Sequence, residues 1–241
     1  MISARCAVVG AGLAGAAAAW RLAASGVDTV LLEARTPAHD GGSSHGSARI
    51  FRHAYGDPEQ VALTVRALAG WRELEAASGT PLLRVTGGLD ARRDLPAIAA
   101  ALTLAGVEHE LLPAAAAAAR WPHLAFGSDV LYQPGAGVVD AASAVAAMVG
   151  LAERDGARVR LGWRLAGVER RDGGRPGWRL TPSGDGETVE AELLVLCAGP
   201  WLPELAGAAE LAPVRAMLPE LRVTEQSVFH FPFPEDDDGD G

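Results

Sequence analysis

The chain has 241 residues, of which 49% are hydrophobic and 5% aromatic, and its formal charge is −9. All 21 basic residues are Arg, and Lys and Asn are absent, which excludes a Schiff-base lysine, a phosphate-loop lysine and an N-glycosylation acceptor. Five carboxylates fall in the terminal Glu235-Asp-Asp-Asp-Gly-Asp-Gly241, so the rest carries 21 − 25 = −4 and lacks the basic surface that nucleic-acid binding requires.

In chain order, residues 4–9 form an apolar strand that breaks into Gly10-Ala-Gly12-Leu-Ala-Gly15. An Ala-rich helix follows to about Ser25, with Gly26 as its stop, and residues 28–33 form a second strand. Strand, turn, helix and strand within ~30 residues make a βαβ unit with a parallel sheet. Residues 35–44 are polar and Gly-rich, hence a loop. The apolar positions Val61, Leu63, Val65, Leu68, Trp71 and Leu74 predict a helix from Pro58 to about Ser78, with Arg66, Arg72 and Glu73 on its polar face. Strands are expected at 82–89 and Val130–Gln133, and helices near 94–105 and 114–119. A further helix is expected at 140–154, with Asp140 as its N-cap.

Residues 156–161, 163–171, 177–181 and 188–190 are strand-rich with Gly turns and predict a meander. Residues 192–198 are apolar after Glu192, the pattern of a buried parallel strand. One more strand is expected at 221–231, then a disordered acidic tail at 235–241. Trp163, Trp178 and Trp201 are assigned to packing in the strand-rich layer, and Asp185, Glu187, Glu190 and Glu192 to a solvated turn and strand edge.

Cys6 and Cys197 lie in apolar runs and read as small buried hydrophobes. Their isolation gives neither metal spacing nor a disulfide framework, which fits a reducing compartment. His53, His109, His123 and His230 show no metal-ligand spacing either. No apolar run reaches the ~20 residues that a bilayer demands. A cytoplasmic chain without metal or membrane partner is expected.

Two segments carry chemistry. Gly10, Gly12 and Gly15 are followed by Glu33 at the end of the next strand, the spacing of a dinucleotide fingerprint. Gly10 permits the tight turn, Gly12 lets a pyrophosphate approach the backbone, and Gly15 allows close helix packing. The helix N-terminus favours the anion, and Glu33 suits a ribose diol and disfavours a 2′-phosphate. In the second segment His45, Arg49 and Arg52 are spaced i, i+4 and i+7, so a helix there would gather them on one face around an anion. Ser43 or Ser44 would cap it.

The glycine turn, the stretch Ser43-Ser-His-Gly-Ser-Ala-Arg-Ile-Phe-Arg-His-Ala-Tyr-Gly56, and Leu194-Val-Leu-Cys-Ala-Gly-Pro-Trp201 together resemble the monomeric sarcosine oxidase and N-methyltryptophan oxidase group of the D-amino-acid-oxidase-like flavoproteins. The resemblance implies an α/β fold: a Rossmann-like FAD-binding domain with a parallel sheet, over 1–80 and 136–212, plus an incomplete antiparallel-sheet substrate domain from 81–135 and 213–234. It implies FAD as cofactor, with Gly10, Gly12, Gly15 and Glu33 on the ADP half. Ser43, Ser44 and His45 would lie along the pyrophosphate and flavin, Arg49 near the flavin ring, Val168 near the adenine, and Ala198 and Gly199 on the cofactor from the second half of that domain. Arg52 would hold the carboxylate of a small amino-acid or amine substrate.

The implied reaction is oxidation of the C–N bond of an N-methyl or secondary amino acid, with oxygen as acceptor and with Arg49, Arg52 and His45 in the catalytic set. The group's later part supplies two lysines, a flavin-linked cysteine and a last Gly-rich segment, none of which has a counterpart here. The expectation is therefore either an oxidase completed by a further C-terminal part or complementing chain, or a non-catalytic FAD-binding remnant. A flavin dehydrogenase with another acceptor is a third reading.

Overall fold

The computed structural model describes residues 1–171, 176–205, 207–224 and 229. In chain order it contains β1 (Ile2–Val9), α1 (Leu13–Ala24), β2 (Thr29–Leu32), β3 (Arg49–Phe51), α2 (Pro58–Ser78), β4 (Leu83–Val85), β5 (Gly88–Asp90) and α3 (Leu95–Leu104). Then come β6 (Glu110–Leu112), α4 (Ala114–Arg120), β7 (Val130–Gln133), β8 (Gly137–Val139), α5 (Ala141–Arg154), β9 (Arg158–Arg160), β10 (Leu165–Arg171), β11 (Gly177–Pro182) and β12 (Val189–Leu196). Short helices α6 (Leu202–Leu205) and α7 (Ala212–Met217) follow.

The main sheet has the order β10-β11-β12-β1-β2-β9. β1 is parallel to both β12 and β2, and β2 is parallel to β9, whereas β10 and β11 add antiparallel strands at the other end. Along β1 the side chains alternate between two cores, as the period of a strand requires. Cys6 and Val8 join Ala16, Trp20, Val145 and Met148 on the α1–α5 side, while Ala7 and Val9 cluster with Val30, Leu32, Trp163 and Leu180 on the other. Small residues let α1 sit close: Gly15, Ala16, Ala19 and Ala23 are all buried. Asp140 caps α5 as expected, accepting from Ser143 N at 3.0 Å.

Two three-stranded antiparallel sheets complete the fold, β3-β8-β4 and β5-β7-β6. The α/β class with a parallel-containing sheet and separate antiparallel sheets is thus the one expected.

Several elements differ from expectation. The run 82–89 splits into β4 and β5, which belong to different sheets, because Gly87 turns the chain at φ +75°. Leu82 stays outside the strand, and its N–H and that of Leu83 both donate to Glu75 Oε1, at 2.7 and 2.8 Å. The runs 188–190 and 192–198 are one strand, β12, with no break at Ala191: its first half pairs with β11, and β1 follows it along its length. The segment holding His45, Arg49 and Arg52 is not helical but bends into β3. Residues 221–224 carry no strand, and the rest of the expected 221–231 strand, Phe229 apart, lies outside the described residues, as does the acidic tail. Glu190 is no solvated edge, since it pairs with Arg179 at 2.9 Å and Arg171 at 3.2 Å.

His53, only 4% exposed, packs edge-on against Phe51 with ring centroids 5.1 Å apart. Its Nδ1 lies 2.8 Å from Thr64 Oγ1, which spends its own proton on the Val61 carbonyl. The ring therefore donates from Nδ1. Burial lowers its pKa below the usual histidine value. The unfolded chain then takes up a proton where the folded chain does not, so stability present above about pH 6.5 is lost as pH falls through the folded value. Urea unfolding between about pH 7.5 and about pH 5 should show a falling midpoint, and His53→Gln should flatten that fall.

Candidate functional site

The parallel strands β1, β2 and β12 end together, and a cleft of about 250 Å³ opens beyond their carboxyl ends. That is the place where open α/β sheets bind ligands. Three backbones converge to form it. Gly10 turns at φ +100°, and a Cβ there would lie 2.5 Å from the Cys197 carbonyl oxygen. A methyl at Gly15 would fall inside contact distance of the Gly10 carbonyl oxygen, so α1 starts against the turn with no room for a side chain. These are the tight turn and close packing expected of the two glycines. A Cβ on Gly12 would sit 3.2 Å from Ser44 Oγ.

Ser44 does more than line the wall. Gly12 gives α1 no side-chain cap, and Ser44 Oγ accepts the Leu13 N–H at 3.0 Å from 31 residues away. Glu33, at the end of β2, is 5% exposed, and each of its oxygens accepts one backbone N–H at 2.7 Å, from Ala11 and from Arg35. The carboxylate thus ties the glycine turn to the chain that follows β2. His39 Nε2 stands 4.0 Å from Glu33 Oε1, and its buried Nδ1 has no hydrogen-bond partner among the described residues.

Of the residues expected at the cofactor, Gly10, Glu33, Ser43, Ser44, Ala198 and Gly199 line this cleft, and Gly12 and Gly15 stand behind it at the start of α1. Val168 does not line it: it is 7% exposed in the core, opposite Leu180, and Trp163, Arg164 and Leu165 form that part of the wall. His39, Arg35 and Trp201 also line the cleft, unforeseen. Trp201 is 39% exposed, and its ring is 6.0 Å from that of His39, so it is not a filler of the strand layer. A loop composition of Gly, Pro and His carried no signal for these contacts.

His45, Arg49 and Arg52 lie on the chain that leaves the cleft wall. Arg49 Nε donates to the His45 carbonyl at 2.9 Å, so a turn rather than a helix face brings the two together. Arg52 Nη1 donates to Asp90 Oδ1 at 3.0 Å, and its guanidinium lies 5.6 Å from the Tyr55 ring centre. Asp90 Oδ2 accepts from Gln133 Nε2 at 3.1 Å, and Gln133 Oε1 accepts from His53 N at 3.0 Å. Sequence reasoning missed Asp90 and Gln133, which are far apart in the chain and meet only through the β5–β7 pairing. Burial pushes the Cys197 thiol above its usual pKa, and burial followed by the proximity of Cys197 does the same for Cys6, in keeping with two inert thiols.

The residues present fit the nucleotide part of FAD. Glu33 retains lone pairs beyond those its backbone donors use, α1 directs its N-terminus at the turn, and the orphaned His39 Nδ1 is a buried polar atom that a ligand would satisfy. The volume is near the low end of ligand pockets, roughly 300–1,000 Å³, and suits a portion of a dinucleotide.

Two stability tests follow from the geometry. Gly15→Ala must push α1 off the turn and should cost about 1–3 kcal/mol in urea unfolding. Glu33→Ala leaves the Ala11 N–H without its buried acceptor, at about 1–3 kcal/mol, and should weaken FAD retention as well. An unchanged unfolding midpoint for either would contradict these contacts.

The family model described as FAD dependent oxidoreductase matches residues 5–241. The chain is 35% identical to the monomeric sarcosine oxidase of Streptomyces avermitilis over 212 residues, which are 82% of this chain and 52% of that protein. It is 29% identical to the N-methyl-L-tryptophan oxidase of Citrobacter koseri over 221 residues, 86% and 56% of the two. Among solved structures, the open form of NikD, described as an unusual amino acid oxidase essential for nikkomycin biosynthesis, superposes with a TM-score of 0.73 at 28% identity, over 86% of this chain and 54% of that one. The chain spans about half the length of the relatives it matches. The glycine turn, the Glu33 clamp and these matches agree, and the chain belongs to the FAD dependent oxidoreductase family.

Proposed function

We propose that this chain forms the FAD-binding part of an oxidase acting on the C–N bond of an N-methyl or secondary amino acid, with oxygen as acceptor. The observation that carries the reading is the Glu33 carboxylate, held between Ala11 N and Arg35 N where the glycine turn meets β2. The similarity to a sarcosine oxidase and an N-methyl-L-tryptophan oxidase supports the substrate class. FAD, when bound, supplies the two-electron oxidation.

The remaining work falls to the chain. Glu33 holds the ribose diol. Gly10, Gly12 and Gly15 let the pyrophosphate approach α1, whose N-terminal partial charge favours it, with Ser43, Ser44 and His45 alongside. Ala198 and Gly199 close the cleft from the end of β12, and Trp163, Arg164 and Leu165 contribute the adenine side. Arg49, steadied by the His45 carbonyl, supplies a preorganised positive charge toward the ring end. Arg52 orients the substrate carboxylate through a planar fork.

In the same reading 1–80 and 136–212 make the FAD-binding domain, and 81–135 with 213–234 begin the substrate domain. Among the described residues no helix is long and apolar enough to cross a membrane, and a cytoplasmic setting is part of the proposal.

A second reading has the chain bind FAD without turnover unless further polypeptide joins it. Leu193 favours it: its register partner Cys6 is 1% exposed, yet Leu193, on an interior strand of the main sheet, is 53% exposed. Fluorescence titration of the purified chain with FAD should show saturable quenching that denaturation reverses. Absence of quenching removes both readings. With FAD bound, oxygen uptake on adding sarcosine supports the first and its absence supports the second.

A further inference from the structure

Arg52 is not a free cation waiting for an anion. It is 35% exposed at the side chain and already paired with Asp90, whose own side chain is 9% exposed. Asp90 in turn is fixed by Gln133, which is fully buried and anchored on His53 N. This chain of contacts returns to the residue next to Arg52, so the guanidinium and its counter-ion are located by one closed circuit of hydrogen bonds. Asp90 is thereby a permanent member of the Arg52 environment. We propose that Asp90 is a positioning and specificity-determining residue: it cancels the charge of Arg52 and holds its orientation, so that the site accepts a carboxylate by shape and rejects ligands with a second negative charge. The inference rests on Arg52 as the carboxylate anchor proposed above.

The physical argument is a balance of charge. One Nη1 hydrogen bond goes to Asp90, and the remaining N–H groups of Arg52 keep their fork geometry for one carboxylate. A monocarboxylate loses little by the neutralisation, because its hydrogen bonds are directional. A dicarboxylate brings a second charge into a partly buried site where Asp90, close to the anchoring guanidinium, repels it. Moving the Asp90 charge away should favour the dicarboxylate selectively.

Asp90→Asn alone disturbs the circuit, since its amide N–H₂ must face either Arg52 Nη1 or Gln133 Nε2, both donors. The double substitution Asp90→Asn/Gln133→Glu repairs it. The amide oxygen then accepts from Arg52, the amide nitrogen donates to position 133, and the carboxylate there still accepts from His53 N. Every hydrogen bond is retained while the negative charge moves one residue further from Arg52.

Calorimetric titration of the purified chain, with FAD added, against propionate and malonate tests the assignment. The wild type should bind propionate more tightly than malonate, and the double substitution should shift the ratio toward malonate by about fivefold. Asp90→Asn, measured in parallel, should shift it the same way if the double variant fails to fold. A purely structural role would change both affinities together and leave the ratio alone. A wild type that binds malonate as tightly as propionate, or an unchanged ratio in a folded variant while Arg52→Ala weakens both ligands, overturns the role of Asp90. No binding of either ligand, or binding that Arg52→Ala leaves untouched, removes the carboxylate anchor itself and this inference with it.

Discussion

The structure depends on one steric constraint: three stretches of backbone come together with no space for a side chain. The turn after β1 touches the end of β12, and the first turn of α1 touches the turn. Glycine at 10 and 15 makes the approach feasible, and only there can the parallel strands end level enough to open a cleft at their carboxyl ends. Glu33 then locks the arrangement electrostatically, because a buried carboxylate demands donors and takes them from the two backbones it joins. Each element is weak alone: the glycines cost chain entropy and Glu33 costs desolvation, but the contacts they share make them mutually stabilising.

A second centre of order sits on the antiparallel sheets. Asp90 on β5 and Gln133 on β7 are buried polar residues in an otherwise apolar setting, and they are satisfied by the segment 52–53 that leaves β3. Arg92 adds a contact from the same side, donating Nη2 to the Ala54 carbonyl at 2.8 Å. The stretch from Arg52 to Ala54 is therefore held by polar bonds from β5 and β7 and the residues just beyond β5. Such bonds define position more sharply than apolar packing does, since they weaken steeply with misalignment.

What the sequence made legible divides along the range of the interactions. The β1–α1–β2 unit, the Asp140 cap and the role of Gly10 and Gly15 follow from spacing within a few tens of residues, where periodicity and turn chemistry act. The same reasoning misplaced the segment with His45, Arg49 and Arg52, because helical spacing of three cations says nothing about a strand partner, and β3 exists through its pairing with β8. It also cut β12 in two, since an alternating half and a fully apolar half look unlike although they are one strand between different neighbours. Asp90, Gln133 and His39 escaped entirely: their meaning lies in partners that the fold supplies, and no local pattern announces them.

The order of the main sheet also governs how this protein can be made. β1 is an interior strand, but its partner on one side, β12, pairs Val189 with Ile2 and so arrives only when the ribosome has reached residue 189 and beyond. At ordinary synthesis rates that is an interval of roughly ten to thirty seconds. Through that time an apolar strand waits with one open hydrogen-bonding edge, able to recruit a strand from any neighbouring chain. The strand order itself thus sets how long the β1 edge stays open during synthesis.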